Sequence, residues 1–388
     1  MKMKRSFAKV IGLIMIAGLL CFNVGNAAGA PAPDASKPIV IGGVLPMSLG
    51  DVGFLIEKGA ELAVIHANES GGVLGRKVEM FVEDDAGKPD VGIKALKLVL
   101  ERNPDVILGP NHSAVVLAQT DMIREYAHPQ LVPSLMIALY RNNNPWLFGT
   151  RPANPASAIA LGTWALEQGY RDFGIISDVG AWPVEYKDEF IKYVKTQEPG
   201  ATFAEEFFVY GDRDMTAQLN KLKDKECLLI SAYISDVGAL APQIKRMGYK
   251  GQVICTSSLS APYLMDMSGD YLDGFVGETS YVVGYSNSPK NQAFEAEFKE
   301  RYGMPTTEMA VAIYDGVSMY LSAVKSAGTT EPAAVREEML KIKEHDGLQG
   351  RLAYFKTGEV RNRVLLFRIK GKQYEIIKEV MPDYNPDA

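Results

Sequence analysis

Residues 71–89 read GGVLGRKVEMFVEDDAGKP. Gly71 and Gly72 close the helix predicted over FLIEKGAELAVIHAN, since glycine is the usual left-handed stop. The strand VEMFVED follows, and its apolar residues Val78, Met80, Phe81 and Val82 predict a strongly buried strand. Glu83, Asp84 and Asp85 emerge at its carboxyl end, where AGKPD turns. A magnesium or calcium site would need further oxygen ligands from elsewhere, and the sequence nominates none. Short acidic side chains at a turn accept hydrogen bonds from loop N–H groups. The three carboxylates are read as the end of a strand, and no metal is expected.

Working outward, strand and helix alternate. IVIGGVL precedes the first helix, and Asp90 is expected to cap DVGIKALKLVLE. DVILG, SAVVLAQTDMIREYA and LVPSL continue the series. A second series runs FGIIS, VEYKDEFIKYVK, FAEEFFVY, MTAQLNKLK, CLLIS, DVGALAPQIKRMG, QVICT and DGFVGETSYVV. Two long helices follow, near 291–301 and 307–326, and the tail reads as strands joined by glycine turns. Repeated alternation of this kind builds parallel sheets covered on both faces. The fold class expected is α/β, as two doubly wound parallel-sheet lobes joined near RPANP (151–155) and recrossed later.

The amino terminus has its own logic. Lys2, Lys4, Arg5 and Lys9 precede an apolar run from Val10 to Phe22, and small residues follow in GNAAGA. That order is a secretory signal peptide over residues 1–30, with 31–37 as a flexible leader. Cys21 offers a lipoprotein alternative, but Leu20 stands where a small residue is usual. Loss of residues 1–30 removes four cations and no acids, taking the formal charge from −6 to −10. An acidic protein offers no basic field for nucleic acid. About 358 residues remain, enough for two cores. Cys227 and Cys255 fall on strands about three positions out of register, too far to bridge.

The longer stretch GAELAVIHANESGGVLGRKVEMFVEDDAGKPD resembles the signature of the type I periplasmic solute-binding proteins, the leucine/isoleucine/valine-binding family. DVILGP with a following serine, AVAIYDGVSMYLSAV and DGLQGRLAYFKTGEV agree, so the resemblance spans about residues 38–370. It implies two lobes, 38–153 plus 282–361 and 154–281 plus 362–388, that close on a small solute. It also implies an extracytoplasmic protein whose partner is the permease of an ABC importer. A monomer without cofactor is expected. A chemosensory binding protein is the alternative.

Open parallel sheets take ligands outside the carboxyl ends of their strands. ILGPNHSAVV is the first-lobe candidate, because Ser113 opens a helix whose N–H groups suit a carboxylate. His112 beside it either lines the pocket or bonds backbone. The resemblance implies further positions. PSLMIAL supplies Met136 and Ala138, where the family uses a small residue and a threonine. Trp182 stands at a position usually held by tyrosine, and Tyr233 falls on the family tyrosine. Ser257 replaces the glutamate that pairs with a ligand ammonium in amino-acid binders. A buried ammonium needs a compensating carboxylate. The expected solute is therefore a carboxylate or amide, aromatic or apolar, that can lack an amino group. The competing account keeps an amino acid and uses Asp178, Asp236 or Glu278.

The sequence contains no G-x-S-x-G elbow, no Walker phosphate loop, no G-x-G-x-x-G and no H-E-x-x-H. It nominates no catalytic residue, so a non-enzyme is expected. A secreted hydrolase would have to work through Ser113 or Ser257.

Overall fold

The structure, a computed structural model, describes residues 37–387. The signal peptide, Cys21 and nearly all of the leader lie outside them. The first series of elements is β1 (Ile39–Leu45), α1 (Asp51–Glu69), β2 (Val78–Asp84), α2 (Pro89–Glu101), β3 (Val106–Leu108), α3 (Ser113–Tyr126), β4 (Gln130–Val132), α4 (Ile137–Tyr140) and β5 (Leu147–Gly149). The second is α5 (Asn154–Glu167), β6 (Asp172–Asp178), α6 (Ala181–Gln197), β7 (Thr202–Phe208), α7 (Thr216–Leu222), β8 (Cys227–Ser231), α8 (Ile234–Arg246), β9 (Gln252–Cys255), α9 (Pro262–Ser268) and β10 (Val276–Thr279). Then come α10 (Pro289–Tyr302), α11 (Glu308–Ala327), α12 (Pro332–Lys341), β11 (His345–Gly347), β12 (Gly350–Tyr354), β13 (Val360–Arg361), β14 (Val364–Lys370) and β15 (Gln373–Val380).

Two sheets carry the architecture. One has the order β2-β1-β3-β4-β5, and the other β15-β14-β10-β9-β8-β6-β7. All pairs of the first are parallel; the second is parallel except where β14 and β15 run antiparallel. Each sheet has its own apolar core. Ile39, Ile41, Phe148, Ile313, Tyr320 and Leu352 belong to one, so α11 and the β11–β13 hairpin strands pack on the first sheet. Ile230, Leu240, Leu264 and Phe367 belong to the other, with Phe173, Phe190 and Leu229 on its opposite face. The chain therefore passes between lobes three times, after β5, after β10 and after β13.

Helix α1 meets α11 closely because Gly59 has no side chain there. A Cβ on Gly59 would lie 2.2 Å from the Ala310 carbonyl oxygen. Cys255 pairs with Ile230, three residues along from Cys227, and both thiols are free and buried.

The opening stretch ends as a turn. Asp84 accepts hydrogen bonds from the N–H groups of Ser48 (3.2 Å) and Ala86 (2.9 Å), and Asp85 from that of Gly87 (2.7 Å). Ala86 and Gly87 are left-handed, at φ 49° and 65°. Two expectations are corrected here. Only Val78 of the apolar set in β2 is fully buried, because β2 is an edge strand. Asp90 does not cap α2; Lys88 takes that place and Pro89, with its fixed φ, starts the helix. Among the described residues no three His, Cys, Asp or Glu converge to hold a metal ion, and no helix is long and apolar enough to cross a membrane.

Candidate functional site

Strand order sets where a site can form. In the first sheet the chain steps from β1 to β2 on one side and β3 on the other; in the second, from β6 to β7 and β8. At such a switch point neighbouring loops leave in opposite directions and open a crevice at the strands' carboxyl ends. A cleft of about 710 Å³ lies there, lined from both lobes. Leu49 after β1, Ser113 after β3, Asp178 at the end of β6 and Tyr233 after β8 all face it.

The first-lobe wall is the start of α3. His112 takes the cap position, and its carbonyl accepts from Val115 (2.9 Å) and Val116 (3.1 Å). Ser113 and Ala114 give their N–H groups to no backbone carbonyl, leaving two donors at the positive end of a helix dipole. Ser113 Oγ lies 2.7 Å from Ser134 Oγ, and both hydroxyls belong to the cleft. The wall is thus made of neutral donors, suited to a carboxylate or amide oxygen. Nδ1 of His112 is buried without a partner. Burial holds its pKa below the ordinary imidazole value, so the ring is neutral at pH 7.

The second-lobe wall is aromatic. Tyr233 stands 5.3 Å from Trp182 and 5.5 Å from Tyr210, ring centre to ring centre, and 6.5 Å from His112 of the facing wall. Trp182 is pinned by its own N–H, which donates to Asn154 Oδ1 at 2.9 Å. Burial and the nearby Asp178 and Asp236 push the Tyr233 hydroxyl up to about 12, so it keeps its proton. Ser257 begins a short 3-10 turn, and its backbone N–H donates to Glu278 at 2.8 Å. Glu278 sits behind that turn, only 1% exposed, and does not face the cleft.

Where the lobes join, Arg151 donates to Pro133 O (2.7 Å) and to Glu308 Oε2 (2.7 Å). Glu308 Oε1 in turn accepts from the N–H of Ser280 at 3.1 Å. The Ser280 hydroxyl lies 2.7 Å from Gln349 Oε1, whose amide donates to Thr150 O at 3.1 Å. One buried polar network therefore ties the first two crossings, at Thr150–Arg151 and Ser280, to Glu308 at the start of α11 and Gln349 before β12.

Of the positions proposed from sequence, His112, Ser113, Trp182, Tyr233 and Ser257 line the cleft. Met136 and Ala138 do not. Met136 packs beside Val116, Val132 and Leu139, and Ala138 gives its N–H to Glu185 of α6 at 3.1 Å. The cleft is reached two residues earlier in that segment, by Ser134 and Leu135. Sequence reasoning also passed over Arg151, Tyr210, Tyr263 and Glu308. Tyr210 stands just beyond FAEEFFV, so its place after a strand end was a usable signal.

Comparison with known proteins agrees with this architecture. The family model described as periplasmic binding protein matches residues 38–373. The chain belongs to the periplasmic binding protein family. Among its relatives is the Leu/Ile/Val-binding protein BraC3 of Rhizobium johnstonii, 24% identical over 340 residues, 86% of this chain and 91% of that one. The crystal structure of the leucine-binding protein LivK from Thermotoga maritima superposes with a TM-score of 0.81 at 22% identity, covering 90% of this chain and 99% of that one. A solute-binding protein of an R. palustris ABC transporter, solved with benzoate, gives 0.80 at 21% identity, covering 91% and 99%. Periplasmic binding proteins are extracytoplasmic binders of small solutes, and the two-lobed fold with an open cleft is theirs.

Proposed function

We propose that this periplasmic binding protein captures a small solute bearing a carboxylate or amide and delivers it to the permease of an ABC importer. The observation that carries the reading is the opposition of two walls across one cleft. Ser113, Ser134 and the free N–H groups of α3 face Trp182, Tyr210 and Tyr233. Hydrogen-bond donors on one lobe would hold the acid or amide group, and the aromatic faces on the other would cover an apolar body. The relatives named for leucine, isoleucine and valine and the neighbour solved with benzoate both fit a donor wall facing an apolar one.

The mechanism is hinge closure. A solute that touches both lobes stabilises the closed state by its differential affinity for that state. Leu49, Tyr210 and Met267 line the cleft yet remain 49%, 63% and 62% exposed, which leaves apolar surface to be covered on closing. Micromolar capture amounts to about 8 kcal/mol, within reach of a few charge-assisted hydrogen bonds plus apolar burial. Nothing in this process requires a transition state to be bound, so the chain is read as a non-enzyme. The moving bodies are 38–153 plus 282–361 and 154–281 plus 362–388. Residues 1–30 are read as an export signal removed on secretion.

The test is a thermal-shift screen of amino acids, aromatic acids, keto acids and amides. A solute held at 100 times its Kd stabilises by about 2.7 kcal/mol, which raises Tm measurably. Ser113→Ala should weaken a carboxylate about tenfold, the size of one charge-assisted hydrogen bond. A panel in which nothing raises Tm, or conversion of a solute by the purified protein, would overturn the reading.

A further inference from the structure

The charges inside the cleft do not balance locally. Four charged side chains line it: Lys88, Arg151, Asp178 and Glu308. Arg151 and Glu308 satisfy each other at 2.7 Å. Lys88 stands on the exposed turn after β2 and makes no ion pair among the described residues. Asp178 also has no cationic partner among the described residues, although it is only 1% exposed. Its Oδ1 accepts the N–H of Gly180 at 2.6 Å, whereas Oδ2 is buried with nothing bonded to it. The groups around it deepen the imbalance. Asp236 is fully buried, with one oxygen on the Gly211 N–H (3.2 Å) and the other unpartnered. Asp212 accepts the Val209 N–H at 2.9 Å. A carboxylate taken out of water needs a counter-charge and donors, or it takes up a proton.

The surroundings of Asp178 favour one kind of counter-charge. A Cβ placed on Gly180 would lie 2.6 Å from Asp178 Oδ1 and 3.3 Å from the Tyr233 hydroxyl. A side chain at 180 would therefore collide with the carboxylate and crowd the phenol oxygen, so glycine lets these two oxygens stand together at this turn. The rings of Trp182 and Tyr210 stand around the same tyrosine, and aromatic faces attract cations. The orphaned carboxylate oxygen asks for a hydrogen-bond donor, which a quaternary ammonium lacks and a protonated amine has.

We propose that Asp178, with the Tyr233 hydroxyl and the faces of Trp182 and Tyr210, forms an ammonium subsite, so that the solute carries a protonated amine as well as the acid group held by Ser113. The proposal rests on the reading of the cleft as a solute site and deepens it. It moves the anionic partner of the amine from position 257, where this chain has serine, to the end of β6. Burial, which raises the pKa of Asp178, supports the same assignment, because a bound cation would hold the carboxylate ionised.

Matched pairs test it: L-leucine against 4-methylpentanoate, L-phenylalanine against 3-phenylpropanoate, and L-tyrosine against 3-(4-hydroxyphenyl)propanoate. Each is titrated calorimetrically into the wild type, Asp178→Asn and Tyr233→Phe. Asparagine keeps an oxygen for the Gly180 N–H, and each variant's Tm is checked without solute. At least one amine is expected to bind ten times more tightly than its deamino partner. In Asp178→Asn that preference should fall to about threefold or less, with a smaller loss in Tyr233→Phe. Equal or tighter binding of every deamino acid, or a preference that survives Asp178→Asn, overturns the subsite. If deamino acids bind and Ser113→Ala weakens them, the subsite falls while solute capture stands. If neither arm binds, both fall.

Discussion

Ser113 and Ser134 share one hydrogen bond across two loops, so a solute oxygen arriving between them can accept a hydrogen bond from either. Ser134→Ala is therefore expected to weaken a carboxylate about as much as Ser113→Ala. The double variant should lose less than the sum, because the two hydroxyls act as a unit; calorimetric titration of the three proteins checks this. Glu278 makes a separate residue-scale prediction. Burial and the nearby Glu308 push its carboxyl up to about 7, above its ordinary 4.5. The folded state thus binds this proton more tightly than the unfolded chain. Its contribution to stability is full below pH 4.5 and is lost as pH rises toward 7. The span of about 2.5 pH units corresponds to at most ~3 kcal/mol. Asp85 and Asp315, each pushed up to about 6, pull in the same direction. The check is therefore the difference between wild type and Glu278→Gln in urea unfolding at pH 4.5 and pH 8, with the variant losing less. At this scale the sequence was readable wherever a polar or aromatic residue followed a clear strand, as at Ser113, Tyr233 and Ser257. It misplaced the PSLMIAL contact because the strand stops at Val132, leaving Ser134 rather than Met136 at the crevice.

Helices with one apolar face were legible from their spacing, and the helix buried on every side was not. Helices α8 and α11 announce themselves by apolar spacing, and α11 also by Thr307, whose side chain accepts the Ala310 N–H at 3.4 Å. Helix α5 has no polar stripe to betray a 3.6-residue period, since nearly all its residues from Asn154 to Ala165 are buried. In sequence it shows only as the junction RPANP. The contact of α1 with α11 yields a prediction. Gly59→Ala would drive a methyl group into the Ala310 carbonyl, so the helices must separate, at a cost of about 1–3 kcal/mol. Chemical denaturation should show that loss, whereas Gly75→Ala, with nothing within 4 Å of the added carbon, tests the backbone term alone at φ 74°. Across the lobes, Glu185 of α6 accepts the N–H groups of Ile137 (2.6 Å) and Ala138 (3.1 Å) and the amide of Asn154 (2.8 Å). No local pattern in sequence reveals such a cap, because its partners lie 31 to 48 residues away along the chain.

The whole molecule depends on how the two lobes are joined. The Arg151–Glu308 pair is buried, and removing one partner of such a pair strands the other charge, at about 3–5 kcal/mol. Arg151→Ala should lower stability by that order in urea unfolding, while Arg124→Ala, an exposed pair with Asp121, should change it by less than about 0.5 kcal/mol. The alternation of strands and helices made the two-lobed plan readable from sequence, but the network linking the first two crossings was not, since it joins residues up to 199 positions apart. That the chain crosses three times has a mechanical result. A protease that severs one connection leaves two others intact, so the nicked molecule should elute from a sizing column as a single particle. It would come apart into fragments only when denaturant dissolves the cores, which makes the joint tolerant of damage that would divide a protein strung on a single tether.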